Sequence, residues 1–287
     1  MTKPKGKIFL IGGAEDKEDG RELLMREDNP EFKPFEILRD LIPDGKQKKE
    51  IEIITTASKE PEEMGDSYQE AFGIIGFNKV NCMNIANRDD AKNEEFIERI
   101  LKASAVFFTG GDQFRLSTII GSTPVFKAIY DRFYTDPKFT IAGTSAGAMA
   151  LPKVMISAGQ PTEAMLMGDI ETSSGLGFFD SCIIDTHFIK RGRFGRLAYS
   201  VVANPSCIGF GLGEDTALIL TGGTKMECLG SGMVIIIDSA EIRSTNISIA
   251  QLKEPIFVED LKIHVMVKGN TYNTIDRKFS SGKRDQV

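Results

Sequence analysis

Apolar residues fall into short runs separated by stretches of helical spacing. Lys7-Ile-Phe-Leu-Ile11 has a buried-strand pattern that stops at Gly12-Gly13. Similar runs span Ile51 to Ala57, Val80 to Ile85, Ala103 to Phe108 and Phe139 to Thr144. Between them, apolar periodicity predicts helices from Phe32 to Leu41, Pro61 to Phe72, Asn93 to Lys102 and Thr123 to Tyr134. Pro43-Asp-Gly45 breaks the first helix, and Pro61 suits the opening turn of the second. Strand and helix alternate at short spacing, which predicts an α/β fold with a doubly wound, mostly parallel sheet covered on both faces. After about residue 180 the texture changes to strand-like runs at Cys182, Cys207, Ala217, Met226 and Met233, with a hairpin signal at Gly222-Gly223. We read one domain: a core over about 6–215, an antiparallel β extension packed on it over about 216–270, and a loose polar tail over 271–287.

In such sheets chemistry gathers beyond the carboxyl ends of the strands. The stretch Ile141-Ala-Gly-Thr-Ser-Ala-Gly-Ala148 occupies such an end. Gly143, Ser145 and Gly147 fit G-x-S-x-G, the pattern of a serine on a sharp strand-to-helix turn. Two glycines let strand and helix approach closely, and the helix N-terminus favours developing negative charge. The Gly12-Gly13 and Gly110-Gly111 loops end neighbouring strands. Glu15, Asp16, Glu18 and Asp19 read as a solvated acidic loop.

A serine nucleophile needs a base, and the base needs an orienting acid. The chain has two histidines. His264 lies on the strand face of Lys262, Met266 and Lys268, and reads as a partly exposed strand residue. His187 follows the apolar run Cys182-Ile-Ile-Asp-Thr186 and precedes Lys190, Arg191, Arg193 and Arg196, so it is the candidate base. An acid between serine and histidine would be Glu163, Asp169 or Glu171, while Asp185 shares a strand face with His187 and lines the site. The Ala146 N–H and the Gly111 N–H are the candidate oxyanion donors, with Gln113 reaching into the cleft.

The composition is that of an ordinary globular protein, 41% hydrophobic and 26% charged over 287 residues. A net charge of −6 disfavours nucleic-acid binding. No apolar run approaches the roughly 20 residues of a membrane span, and the first strand is too short for the h-region of a signal peptide. A cytoplasmic location with no membrane partner is expected. The four cysteines, Cys82, Cys182, Cys207 and Cys228, form no C-x-x-C pair and read as buried thiols. Two histidines argue against a multi-histidine metal centre, so no metal and no cofactor is expected.

Four segments in this order resemble cyanophycinase: Phe108-Thr-Gly-Gly-Asp-Gln113, Gly143-Thr-Ser-Ala-Gly147, Asp185-Thr-His-Phe188 with Arg191, Arg193 and Arg196, and Gly211-Leu-Gly-Glu-Asp-Thr-Ala217. The resemblance runs from Gly12 to about Val267. It implies a serine exopeptidase related to aspartyl dipeptidases, on a class I glutamine-amidotransferase-like, flavodoxin-like fold. It also implies a Ser–His–Glu triad at Ser145, His187 and Glu163, and substrate contacts at Gln113, Asp185, Thr186, Arg191, Arg193 and Arg196. The implied substrate is cyanophycin, a poly-aspartate backbone bearing arginine on each side-chain carboxylate, released as β-Asp-Arg. A homodimer is implied as well. The pattern departs at Thr186, where glutamine is expected, which leaves Asp-X or isoaspartyl dipeptides open as substrates. A non-catalytic binding module on the same fold is the third reading, disfavoured by the presence of both Ser145 and His187.

Overall fold

The computed structural model describes residues 3–15, 33, 35–42, 49–159 and 164–282. β1 (Lys7–Ile11), β2 (Glu50–Ile54), β3 (Lys79–Met83), β4 (Ala105–Phe108) and β5 (Thr140–Thr144) form where the apolar runs place them. They pair in parallel in the order β3-β2-β4-β5-β1. Alternate side chains serve opposite faces, as the strand period of two requires. Ile8, Leu10, Val106, Phe108 and Ile141 join one core, and Phe9, Ile11, Ala105, Phe107 and Ala142 the other. Each large side chain buried this way contributes about 1.5–3 kcal/mol.

The helices in the first half are α1 (Glu36–Arg39), α2 (Pro61–Ile75), α3 (Glu94–Lys102), α4 (Gln113–Ile120) and α5 (Pro124–Thr135). α2 does start at Pro61, and Asn93 caps α3 by accepting from the Glu95 N–H. α1 is shorter than the predicted Phe32 to Leu41 helix, with Phe35 at φ 56 before it. Phe32, Pro34 and the Pro43-Asp-Gly45 breaker lie outside the described residues. α4 was not predicted. Asp112 starts it, accepting from the N–H groups of Phe114 and Arg115.

The second half is α6 (Ala146–Met149), β6 (Val154–Ala158), β7 (Glu171–Ser174), β8 (Cys182–Asp185), α7 (Phe194–Ala203), β9 (Ile208–Leu212), β10 (Thr216–Thr221), β11 (Lys225–Gly230), β12 (Val234–Asp238), β13 (Ser244–Thr245), β14 (Val258–Glu259), β15 (Lys262–Met266), β16 (Thr271–Asn273) and β17 (Lys278–Ser280). The predicted extension is divided among three sheets, one of them the two-stranded pair β13–β14. β10 pairs antiparallel with β1 and extends the main sheet through β11, β16 and β17 to nine strands. The β10–β11 hairpin turns at Gly222-Gly223 as predicted. A second sheet has the order β15-β12-β9-β8, and its β8–β9 pair is parallel, joined through α7. The carboxyl ends of β8 and β9 therefore face the same way.

One expectation is corrected. The tail is not loose after Asn273, because β16 and β17 form a hairpin on β11. Tyr272 is fully buried and donates to Asp238 Oδ2 at 3.1 Å, and Arg277 pairs with the same carboxylate. On β15 His264 is a partly exposed strand residue, as expected, and stacks on Phe279; Met266 on the same face is buried, while Ile263, Val265 and Val267 are exposed. Among the described residues, no helix is long and apolar enough to cross a membrane.

Because Tyr272 is a core residue, Tyr272→Ala should destabilise the protein by about 3–5 kcal/mol, as large buried aromatics do. Tyr272→Phe, which removes one hydrogen bond, should cost about 1 kcal/mol. Chemical denaturation of both variants checks this. Equal, negligible effects would mean that the hairpin does not anchor the chain.

Candidate active site

Ser145 stands between β5 and α6 with φ 51 and ψ −118, a conformation that non-glycine residues seldom adopt. The neighbouring glycines make that turn possible. A Cβ on Gly143 would lie 2.6 Å from the Gly147 carbonyl carbon, and one on Gly147 would lie 2.2 Å from the Phe108 oxygen. The Ser145 N–H donates to the Ile11 oxygen at 3.0 Å, tying the turn to the end of β1.

His187 follows β8 and also has positive φ. Its N–H donates to the Gly12 oxygen at 2.9 Å, so β1 sets the height of both residues. The imidazole Nε2 lies 3.1 Å from Ser145 Oγ. A Cβ on Gly13 would sit 2.4 Å from that same Nε2, so glycine is required beside the ring.

On the other side of the ring, Nδ1 lies 2.7 Å from Glu214 Oε1. Glu214 occupies the short link between β9 and β10, the point where the chain passes from one sheet to the other. Lys190 Nζ donates to its second oxygen at 3.1 Å. Burial raises the Glu214 carboxyl, but the hydrogen bonds from His187 and Lys190 and the Lys190 charge prevail and hold it below the ordinary glutamate value. With the carboxylate as acceptor, the proton belongs on Nδ1, leaving Nε2 free to accept from Ser145.

The acids expected between the serine and the histidine do not take this place among the described residues. Glu163 lies outside the described residues. Asp169 pairs with Lys253, and Glu171 is exposed on β7. The carboxylate that meets Nδ1 is Glu214, after the histidine in the chain. It falls within the quoted segment Gly211-Leu-Gly-Glu-Asp-Thr-Ala217, but the order of residues along the chain hid its place.

Gly13, Glu15, Gly110, Gly111, Ser145 and His187 line one open cleft of ≈ 240 Å³, together with Tyr68 and Thr144. The Ala146 N–H opens α6 and has no acceptor within its helix. Gly111, at φ 139, is pressed against Ala57, whose oxygen would lie 2.0 Å from a Cβ there. The acidic-loop reading fails at Glu15, which is only 3% exposed. Asp16, Glu18 and Asp19 lie outside the described residues.

The remaining sequence candidates do not line this cleft. Gln113 Nε2 donates to the Ile156 oxygen of β6 at 2.9 Å. Asp185 is fully buried and accepts from Arg196 Nε at 2.9 Å, Arg193 Nη1 at 3.2 Å and the Thr186 N–H at 2.9 Å; Arg196 Nη2 also donates to it. Its oxygens are thus taken up by the protein itself. Thr186 is buried, with its hydroxyl on Met149 Sδ. Burial pulls the Arg193 guanidinium down to about 10, even with Asp185 beside it. Arg191 is exposed on the turn after His187.

Residues 23–228 match the model of Peptidase family S51, and the chain belongs to that family of peptidases. It is 33% identical over 269 residues to a cyanophycinase of Synechococcus elongatus, spanning 94% of this chain and 79% of that protein. Against a cyanophycinase of Trichormus variabilis (strain ATCC 29413 / PCC 7937) it is 34% identical over 274 residues, 95% of this chain and 87% of the other. A crystal structure of a peptidase from an acI-B1 Actinobacterium shares the fold with a TM-score of 0.63 at 21% identity, covering 95% of this chain and 98% of that one. A putative peptidase E from Listeria monocytogenes EGD-e aligns with a TM-score of 0.51 at 17% identity, over 79% of this chain and 99% of the other.

Glu214→Gln should lower kcat on the order of 10⁴-fold, by analogy with an amide replacing a triad carboxylate. Glu163→Gln should stay within a fewfold of the parent. Steady-state kinetics of the two variants checks this; a reversed ranking would return the orienting role to Glu163.

Proposed function

We propose that the protein is a serine-type exopeptidase that hydrolyses cyanophycin to β-Asp-Arg dipeptides through an acyl-enzyme, with Ser145, His187 and Glu214 as the triad. The observation that carries this reading is the unbroken hydrogen-bonded series from Ser145 Oγ through the imidazole to Glu214. It stands on a strand-to-helix turn in a chain whose relatives are cyanophycinases.

Ser145 Oγ attacks the scissile backbone carbonyl as His187 Nε2 takes its proton. Glu214 keeps the Nδ1 proton in place and stabilises the imidazolium that forms. The Ala146 and Gly111 N–H groups receive the oxyanion. His187 then gives its proton to the leaving amine, and a water activated by the same imidazole releases the acyl group. The side-chain amide to arginine is left intact.

The cysteines offer no competing nucleophile. Burial pushes the Cys82 thiol up to about 11 and Cys228 to about 12, and raises Cys182 and Cys207 as well. A reactive cysteine needs the opposite shift. All four are free, which fits the reducing cytoplasm.

Arg191 is our choice for the substrate's terminal carboxylate, since it is exposed beside His187 whereas Arg193 and Arg196 are engaged by Asp185. The second reading, an Asp-X or isoaspartyl dipeptidase, rests on Thr186 where glutamine is expected, since threonine is shorter and carries no amide donor. A homodimer, implied by the resemblance, is tested by sedimentation.

Mass spectrometry of a cyanophycin digest should show β-Asp-Arg as the sole small product. Cleavage of short Asp-X peptides alone would favour the second reading. Ser145→Ala and His187→Ala should each lower kcat on the order of 10⁶-fold, and the double variant should be little worse, because the pair acts as a unit. Losses that multiply would refute His187 as the base.

A further inference from the structure

Glu15 is the only carboxylate among the described residues that line the catalytic cleft. It is nearly fully buried. Tyr68 donates its hydroxyl to Oε1, and Thr144 donates to Oε2 at 2.7 Å. Both donors are neutral. Among the described residues, no lysine, arginine or histidine completes this site.

That arrangement is costly unless something else arrives. A buried carboxylate held by neutral donors is poorly compensated for its lost hydration. It has about four lone-pair sites, and two hydroxyls leave acceptor capacity open to the cleft. Asp185 is the contrasting case, with two guanidinium groups and a backbone N–H already on it. Among the described residues, Asp185 is thus held by two cations and Glu15 by none. Glu15 lies beside the nucleophile, since Thr144 immediately precedes Ser145.

We propose that Glu15, braced by Tyr68 and Thr144, is the cation subsite of the cleft and takes the guanidinium of the substrate unit at the scissile bond. The inference rests on the cyanophycin reading for the source of that guanidinium. The geometry itself asks only for a planar or ammonium-type organic cation. A guanidinium meets a carboxylate through paired N–H donors, which gives orientation as well as attraction. Tyr68 and Thr144 keep the carboxylate from turning away when the cleft is empty.

The test compares an arginine-bearing β-Asp-Arg substrate with its citrulline analogue, which has nearly the same shape and no charge. Wild type should prefer arginine by roughly tenfold to a hundredfold in kcat/KM. In Glu15→Gln that ratio should fall to near one. The ratio is the readout, so a general loss in the variant cancels. A ratio preserved in Glu15→Gln would overturn the proposal and leave Glu15 as a brace for the Ser145 turn. Should Glu15→Gln fail to fold, Glu15→Asp keeps the charge but sets it back by one methylene, and should retain only part of the preference; an unchanged ratio there counts against the subsite.

A second measurement is independent of the peptide substrate. Agmatine should slow labelling of Ser145 by a fluorophosphonate probe in wild type and not in Glu15→Gln. Absence of protection in wild type would overturn the cation subsite. Protection without cleavage of any β-Asp-Arg substrate would overturn the cyanophycin reading and leave the subsite standing.

Discussion

The site depends on one seam of backbone hydrogen bonds at the end of β1. Gly12 accepts from the His187 N–H and donates to the Thr216 oxygen, while Gly13 accepts from the Asp215 N–H and Ile11 accepts from the Ser145 N–H. Three segments that carry the proposed nucleophile, base and orienting acid are thus indexed to the same few residues. No side chain fits in the seam. A Cβ on Gly12 would stand 1.8 Å from the Gly213 oxygen, and one on Gly13 would strike the imidazole. The two sheets approach to backbone contact there, and the catalytic distances follow from that approach. Positive φ at Ser145, His187 and Asp215 is the strain that the seam holds in place.

Much of this was legible in the sequence because it rested on period and on glycine. The five parallel strands were marked by apolar runs, and Ser145 by the glycines on each side. His187 stood out because only one other histidine exists. What was hidden depended on contacts distant along the chain. Glu214 looks like any glutamate in a turn, and only the meeting of β9 with β10 puts it against His187. Glu15 sits in an acidic run that reads as solvated, yet Tyr68 of α2 closes over it. Ile263, Val265 and Val267 have the alternation of a core face, but the opposite face of β15 is the one that packs. Polar composition likewise concealed the final hairpin, which a single tyrosine anchors.

The cluster of Asp185, Arg193 and Arg196 illustrates a limit on assigning roles from residue type. Charged residues near a histidine suggest substrate contacts. Here the carboxylate is saturated by its own protein, and Arg196 also donates to the Gly159 oxygen. Such a cluster fixes the turn that carries His187, since Arg193 Nη1 also donates to the Thr186 oxygen at 2.7 Å. Arginine is suited to this because its planar fork can satisfy several acceptors at once.

The pairing of β1 with β10 has a consequence for the life of the chain before it is complete. β1 is made before its antiparallel partner β10, and the segments bearing Ser145 and His187 lie between the two in the sequence. Contacts so distant in sequence form late, after the local helices and neighbouring strands. Glu214 reaches the imidazole only when that pairing closes. A chain extended only through His187 therefore holds the proposed nucleophile and base but not the acid that would orient the base, so the proposed triad is complete only once the link between β9 and β10 has been made.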